Sequence, residues 1–137
     1  MKFEIHRYPL TILEGHLDTF GHVNNAKYLE ILEEARWDFI TSRGLGLKEI
    51  QKSGKGPIIL EIKMKFLKEI KVRQNIIIES QTISMDRLVA TLRQHILNEA
   101  GEVIFEAELL FGFFDTQARR LIRPTDEWLK AIGIVRS

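Results

Sequence analysis

The sequence predicts an α+β fold in which one long helix lies against an antiparallel five-stranded sheet. Three observations predict it. Apolar residues recur every three or four positions from about Asn25 to Arg43. From Leu60 onward the apolar period switches to two. Short turn-forming sequences separate the alternating stretches, and short turns join antiparallel neighbours.

The elements follow in order. Phe3 to Glu14 alternates loosely and reads as a first strand, with Pro9 suited to an edge or a bulge because it lacks an N–H donor. The stretch from Gly15 to Asn25 reads as a loop. Asn24 and Asn25 are good helix starters. Tyr28, Ile31, Leu32, Ala35 and Phe39 then form one apolar face, and Lys27, Glu30, Glu33, Glu34 and Asp38 occupy much of the rest. This helix is roughly 27 Å long, enough to cross a sheet. Gly44 and Gly46 end it.

A glycine- and lysine-rich loop, Lys52 to Pro57, comes before the next strand. Leu60, Ile62, Met64 and Phe66 then alternate with Glu61, Lys63 and Lys65, as in a half-buried strand. Val72 to Met85 is rich in β-formers. Asp86-Arg87 reads as a tight connection, Leu88 to Asn98 as the next strand, and Asn98 to Gly101 as a turn. Val103, Phe105, Ala107, Leu109, Phe111 and Phe113 share one face of a long last strand. Pro124 to Ile132 reads as a short closing helix. One helix covers one sheet face, so the other face, only partly polar, is expected to meet a partner subunit or another layer.

The 137 residues suit a single domain spanning 1–137. With 45% hydrophobic residues the chain can bury a sizeable core. A formal net charge of +1 argues against a nucleic-acid binder. The absence of cysteine removes disulfides, thiolate nucleophiles and sulfur metal sites, and fits a reducing, cytoplasmic setting. No apolar run reaches the length of a membrane span. No His, Asp and Glu spacing resembles a metal site, so neither metal nor cofactor is expected.

The informative stretch is Asp18-Thr-Phe-Gly-His-Val-Asn-Asn-Ala-Lys-Tyr28. A carboxylate sits in a glycine-bounded loop just before a helix start. Free amides of a first helical turn attract negative charge and can stabilise an oxyanion. A nearby carboxylate can attack a carbonyl or activate water. From the residues alone two readings stand, a turn residue and a catalyst.

The motif Asp-x-x-Gly-His-Val-Asn-Asn-x-x-Tyr, followed by Glu34-Ala35-Arg36, resembles the hotdog-fold thioesterases of the 4-hydroxybenzoyl-CoA thioesterase superfamily. The similarity covers roughly residues 3 to 116. It implies a sheet wrapped around the central helix and hydrolysis of an acyl-CoA or acyl-carrier-protein thioester. It makes Asp18 the nucleophile or general base and the backbone N–H of Asn25 the group that polarises the carbonyl. His22, Asn24 and Tyr28 become the substrate-side residues. His22 and Asn24 also suit holding the loop and helix start, and Tyr28 falls on the apolar helical face. The resemblance further implies a homodimer or a dimer of dimers with the site at the subunit interface.

Glu34 occupies the region where another hotdog branch carries a catalytic carboxylate, but here it reads as a solvated or ion-paired helix residue. His95 reads as structural, and His6 and His16 have no recognisable partners. Lys63, Lys65, Lys68, Lys71 and Arg73 form a basic cluster that suits either CoA phosphates or a guarded strand edge. Two other functions suit the same fold. A 3-hydroxyacyl-thioester dehydratase needs a His and an acid near a Pro-Gly-rich loop, which is absent. A non-catalytic acyl-binding module would leave Asp18 without a task.

Overall fold

Alternating apolar residues build five long strands, and the helical stripe between the first two covers them. The computed structural model describes residues 1–136. The order is β1 (Lys2–Phe3), β2 (Ile5–Thr11), a single 3-10 turn (Glu14–His16), α1 (Asn25–Thr41), α2 (Leu47–Ser53), β3 (Lys55–Phe66), β4 (Asn75–Asp86), β5 (Val89–Leu97), β6 (Val103–Asp115), β7 (Arg120–Leu121), α3 (Asp126–Ala131) and β8 (Ile134–Val135). The main sheet is antiparallel, with order β2-β4-β5-β6-β3 and the short β7 added to the end of β6. The strands β1 and β8 pair separately.

The inner face of the sheet carries Ile76 and Ile78 of β4, Leu92 and Ile96 of β5, and Leu109 and Phe111 of β6. Tyr28, Ile31, Leu32, Ala35, Phe39 and Ile40 of α1 are buried against it. Register shifts between Ile59 and Glu61 and between Thr82 and Ser84 mark bulges, which bend strands around the helix.

Polar contacts fix the helix on this face. Gln94 is fully buried. Its Nε2 donates to the Leu32 carbonyl at 3.1 Å and to Ser80 Oγ at 3.0 Å, and its Oε1 accepts from Arg36 at 3.1 Å. On the β2 side the Tyr8 hydroxyl donates to Glu34 at 2.5 Å, and His6 meets Asp38 at 2.7 Å.

Several expectations change. The helix ends at Thr41 rather than Arg43, because Ser42 caps it and Gly44 turns left-handed at φ 96°. Leu47 to Gln51, left without an element in the sequence, opens α2, and β3 begins at Lys55, inside the expected loop. The start of α2 is held by Glu49, whose Oε1 accepts from the Gly46 N–H at 2.8 Å. Leu60 does not share the inward face of β3; the bulge leaves it 48% exposed. The outer sheet face is more polar than expected. Arg7, Glu79, His95, Glu106 and Lys65 lie opposite one another across five strands, with charges mostly alternating. His6 also has partners after all, Asp38 and the Arg43 guanidinium at 2.9 Å. His16 has one too, its Nδ1 accepting from the Leu13 N–H at 2.9 Å.

Two outcomes follow from these tethers. Gln94→Leu removes the amide that joins Arg36, Ser80 and the helix backbone. It should lower the unfolding free energy by about 2–4 kcal/mol in a urea titration, because a guanidinium is left without its acceptor. The hydrogen bond to Glu34 and burial push the Tyr8 hydroxyl up to about 12. An unfolded tyrosine ionises near its ordinary value of 10.0. Between these values the unfolded chain binds fewer protons, so stability should fall as pH rises through that window. In Tyr8→Phe this part of the decline should vanish, as read by unfolding at stepped alkaline pH.

Candidate active site

The loop before α1 is closed by a bridge between Leu17 and Val23. Within it the Asp18 N–H donates to the His22 carbonyl at 2.8 Å, and the Gly21 N–H donates to the Asp18 carbonyl at 3.0 Å. Asp18 Oδ1 accepts from the Phe20 N–H at 2.9 Å and the His22 N–H at 3.0 Å. Such a tight return requires Gly21 at φ 80°, a left-handed angle that side chains disfavour. The loop therefore orients the Asp18 carboxylate through one oxygen. The other, Oδ2, is bound by no group among the described residues, and the side chain is exposed.

The helix begins immediately after. Asn24 Oδ1 accepts from the Lys27 N–H at 3.0 Å, and the Asn24 carbonyl accepts from Lys27 at 3.1 Å and Tyr28 at 3.3 Å. Asn25 and Ala26 are the first two helical residues, and their N–H groups donate to nothing among the described residues. Two unpaired amides at the positive end of a helix thus follow an oriented carboxylate on one short segment. That pairing can polarise a carbonyl and deliver a base or nucleophile to it.

The other sequence-derived residues divide. His22 is exposed, and its Nδ1 lies 3.0 Å from Glu69 Oε1. It holds the loop to the β3–β4 connection. Asn24 is the helix cap. Tyr28 is only 6% exposed; its ring stacks on Phe105 at 4.8 Å and meets Phe66 edge-on at 5.0 Å. Desolvation raises its hydroxyl pKa above the ordinary value. Glu34 is bound by Tyr8 on the β2 side of α1. His95 lies on the outer sheet face between Glu79 and Glu106. In the basic cluster, Lys68 pairs with Glu102, Arg73 with Glu14 and, at 4.0 Å, Lys63 with Glu61, so three of its five charges are engaged. No group of three or more His, Asp or Glu among the described residues could hold a metal ion. No described helix is long and apolar enough to cross a membrane.

Of the exposed apolar side chains around this end of the molecule, the sequence singles out Phe20, as a residue that could shape an acyl pocket or pack in the core. Phe20 at the loop tip is 85% exposed, and Leu29, Phe66 and Leu67 are also bare. The signal was present as apolar residues beside the motif. Nothing in the sequence distinguished them from core.

The fold is that of the hotdog thioesterases, and comparison with known proteins gives the family. The thioesterase-like superfamily matches residues 13–132. An acyl-acyl carrier protein thioesterase, chloroplastic ATL3 of Arabidopsis thaliana, is 32% identical over 97% of this chain and 70% of its own length. The long-chain acyl-CoA thioesterase FadM of Escherichia coli (strain K12) is 29% identical over 78% of this chain and 81% of its own. Among solved structures, the YbaW probable thioesterase of Escherichia coli superposes with TM-score 0.80 at 25% identity, covering 93% of this chain and 98% of that one. The SAV2348 protein of Staphylococcus aureus, solved with CoA, superposes with TM-score 0.86 at 18% identity, covering 100% and 90%. The chain belongs to the thioesterase-like superfamily and is a thioesterase.

The loop geometry has a direct test. Gly21→Ala should lower stability by about 1 kcal/mol, because the residue must keep a left-handed angle. No atom lies near the added methyl, so the effect is conformational. Gly15 is equally open but has no positive φ. Gly15→Ala should therefore leave the melting temperature within a degree or so, and an equal loss in both variants would contradict this account.

Proposed function

We propose that this protein hydrolyses acyl-CoA or acyl-carrier-protein thioesters to a free acid and a thiol, with Asp18 as nucleophile or general base. The observation that carries this reading is the succession of an oriented carboxylate and the unpaired amides of Asn25 and Ala26. The carbonyl oxygen docks on the Asn25 N–H, which stabilises the oxyanion more than the ground state. Asp18 takes a proton from water as the oxygen attacks, or attacks directly to form an acyl-aspartate that water then cleaves. In both routes a C–O bond replaces the C–S bond, and the leaving sulfur ends as a thiol. The names of the relatives, which include acyl-CoA and acyl-carrier-protein thioesterases, support both carriers as candidates. His22 and Asn24 hold the loop and helix start. Tyr28 forms the wall between the site and the core.

The active unit is a dimer in this reading. A single chain leaves Asp18 in open water and leaves the twelve-residue strand β3 with one free edge. Leu60, Phe66 and Leu67 on or beside that strand are exposed by about half. A second copy pairing along β3 would cover these side chains and roof the Asp18 loop. The supposed setting is the cytoplasm.

Thiol release from a panel of aliphatic and aromatic acyl-CoAs tests the activity. Asp18→Asn keeps the shape and loses the charge. It should reduce turnover at least a hundredfold, about the scale of a lost general base, with the melting temperature little changed. Near-normal turnover in that variant would remove Asp18 from the chemistry. Light scattering at micromolar concentration should give the mass of two chains or a multiple of two, and a single-chain mass would defeat the shared site.

A further inference from the structure

A cavity of about 140 Å³ lies beneath the second half of α1. Trp37 and Ile40 of α1, Ile59 of β3, Phe111 of β6 and Trp128 of α3 line it. Its size is close to that of a cavity that accepts a benzene ring, so several chain carbons fit. The wall is mostly apolar, and its polar side chains include Glu33, Arg36 and Thr82.

The setting of Arg36 is unusual for a cation. Burial lowers its pKa from the ordinary value. Glu33 at the cavity rim attracts it through space, but no ion pair forms between them. Its hydrogen bond goes from Nη1 to the neutral Gln94 amide. A guanidinium has five N–H donors. Its remaining nitrogens are not sealed off: among the described residues, Trp128 Nε1 is the buried side-chain polar atom without a partner. That indole also belongs to the cavity wall. The cavity wall thus carries one buried donor without an acceptor, Trp128 Nε1, beside a guanidinium that has further N–H groups beyond its bond to Gln94. Such groups are costly to bury unless something accepts from them.

The cavity also stands in line with the catalytic segment. The strand β3 runs beside α1 from Pro57 and Ile59 at the cavity to Phe66, which touches Tyr28 near the helix start. From Asn25 to Arg36 the helix advances about 16 Å. An extended chain advances about 3.6 Å per three bonds, so roughly 12 to 14 carbons span that distance.

Taking the thioesterase reading as its basis, we propose that this cavity receives the far end of the acyl chain and that Arg36 selects chains bearing an oxygen acceptor there, a terminal hydroxyl or carboxylate. The guanidinium donates to that oxygen, and the remaining carbons fill the apolar wall.

Matched substrates test it: dodecanoyl-CoA, its ω-hydroxy form and its ω-carboxy form, compared by kcat/KM. The oxygenated chains should be preferred at least about tenfold, the scale of a hydrogen bond to a charged donor. Arg36→Met should bring that ratio to about one, and Arg36→Lys should keep part of it. Ile59→Trp, which fills the cavity from the strand side, should shift the optimum towards shorter chains and serves if Arg36→Met does not fold. Binding of the corresponding free acids, measured by calorimetry, gives a readout independent of turnover. If thioesters are hydrolysed but plain chains are used as well as oxygenated ones, the selection by Arg36 is wrong and the thioesterase reading stands. If no thioester is hydrolysed, the activity fails, and equal affinity for plain and oxygenated acids would then overturn the selection as well.

Discussion

The docking of α1 on the inner face of the sheet is the constraint from which the rest of the structure follows. Two kinds of force act there, and they do different work. Burying Tyr28, Ile31, Leu32, Ala35, Phe39 and Ile40 supplies the drive, on the order of 10 kcal/mol at about 1.5–3 kcal/mol for each large side chain. This drive is non-directional and tolerates sliding. The polar contacts contribute about 1 kcal/mol each, yet they are directional. Gln94 grips the Leu32 carbonyl from one strand, while Tyr8 and His6 hold Glu34 and Asp38 from another. A helix turned by one residue would lose all three. The weaker interactions therefore set the position of the helix, and with it the position of its first turn.

That division explains which parts of the fold were legible in the sequence. Periodicity reports burial, so α1 and the long strands were readable within a few residues. The short helix α2 was not, because its cohesion comes from the Glu49 return to Gly46 and a stop at Gly54 rather than from an apolar stripe. Bulges were not legible either. A bulge shifts the alternation by one residue, and Leu60 reads as an inward residue until the register with β6 is known. The tethers join residues 26 to 62 positions apart, and no local pattern encodes such pairs.

The site divides along the same line. Asp18, Gly21 and Asn24 act within one loop and one helical turn, so their spacing carried the geometry. His22 is different. Its contact with Glu69 depends on where the β3–β4 connection passes. Arg36 stood in the motif without a task, because its setting needs β5, β6 and α3 to be in place. The resemblance supplied the roles of Asp18 and Asn25, and the loop hydrogen bonds supply the physical reason that those positions can perform them.

The remaining question is why the end proposed to be catalytic should be so open. Asp18 and the first amides of α1 face water in one chain, where a charge and a dipole interact weakly. At the same separation, an effective dielectric near 20 makes that interaction about four times stronger than bulk water does. An acyl-transfer site therefore gains from a cover that the chain itself does not provide. The exposed apolar residues Phe20, Leu29, Phe66 and Leu67 are where such a cover would be held, and β3 offers an edge of backbone donors and acceptors beside them. The opposite edge, β2, carries Pro9 and is short, so it invites pairing less. In the proposed dimer, the asymmetry of the two sheet edges and the exposure of the Asp18 loop would have one physical origin. The same strand that would recruit a second copy also walls the path from Asp18 to the cavity at Arg36, so closure of the site and definition of the acyl path would arise in a single assembly step.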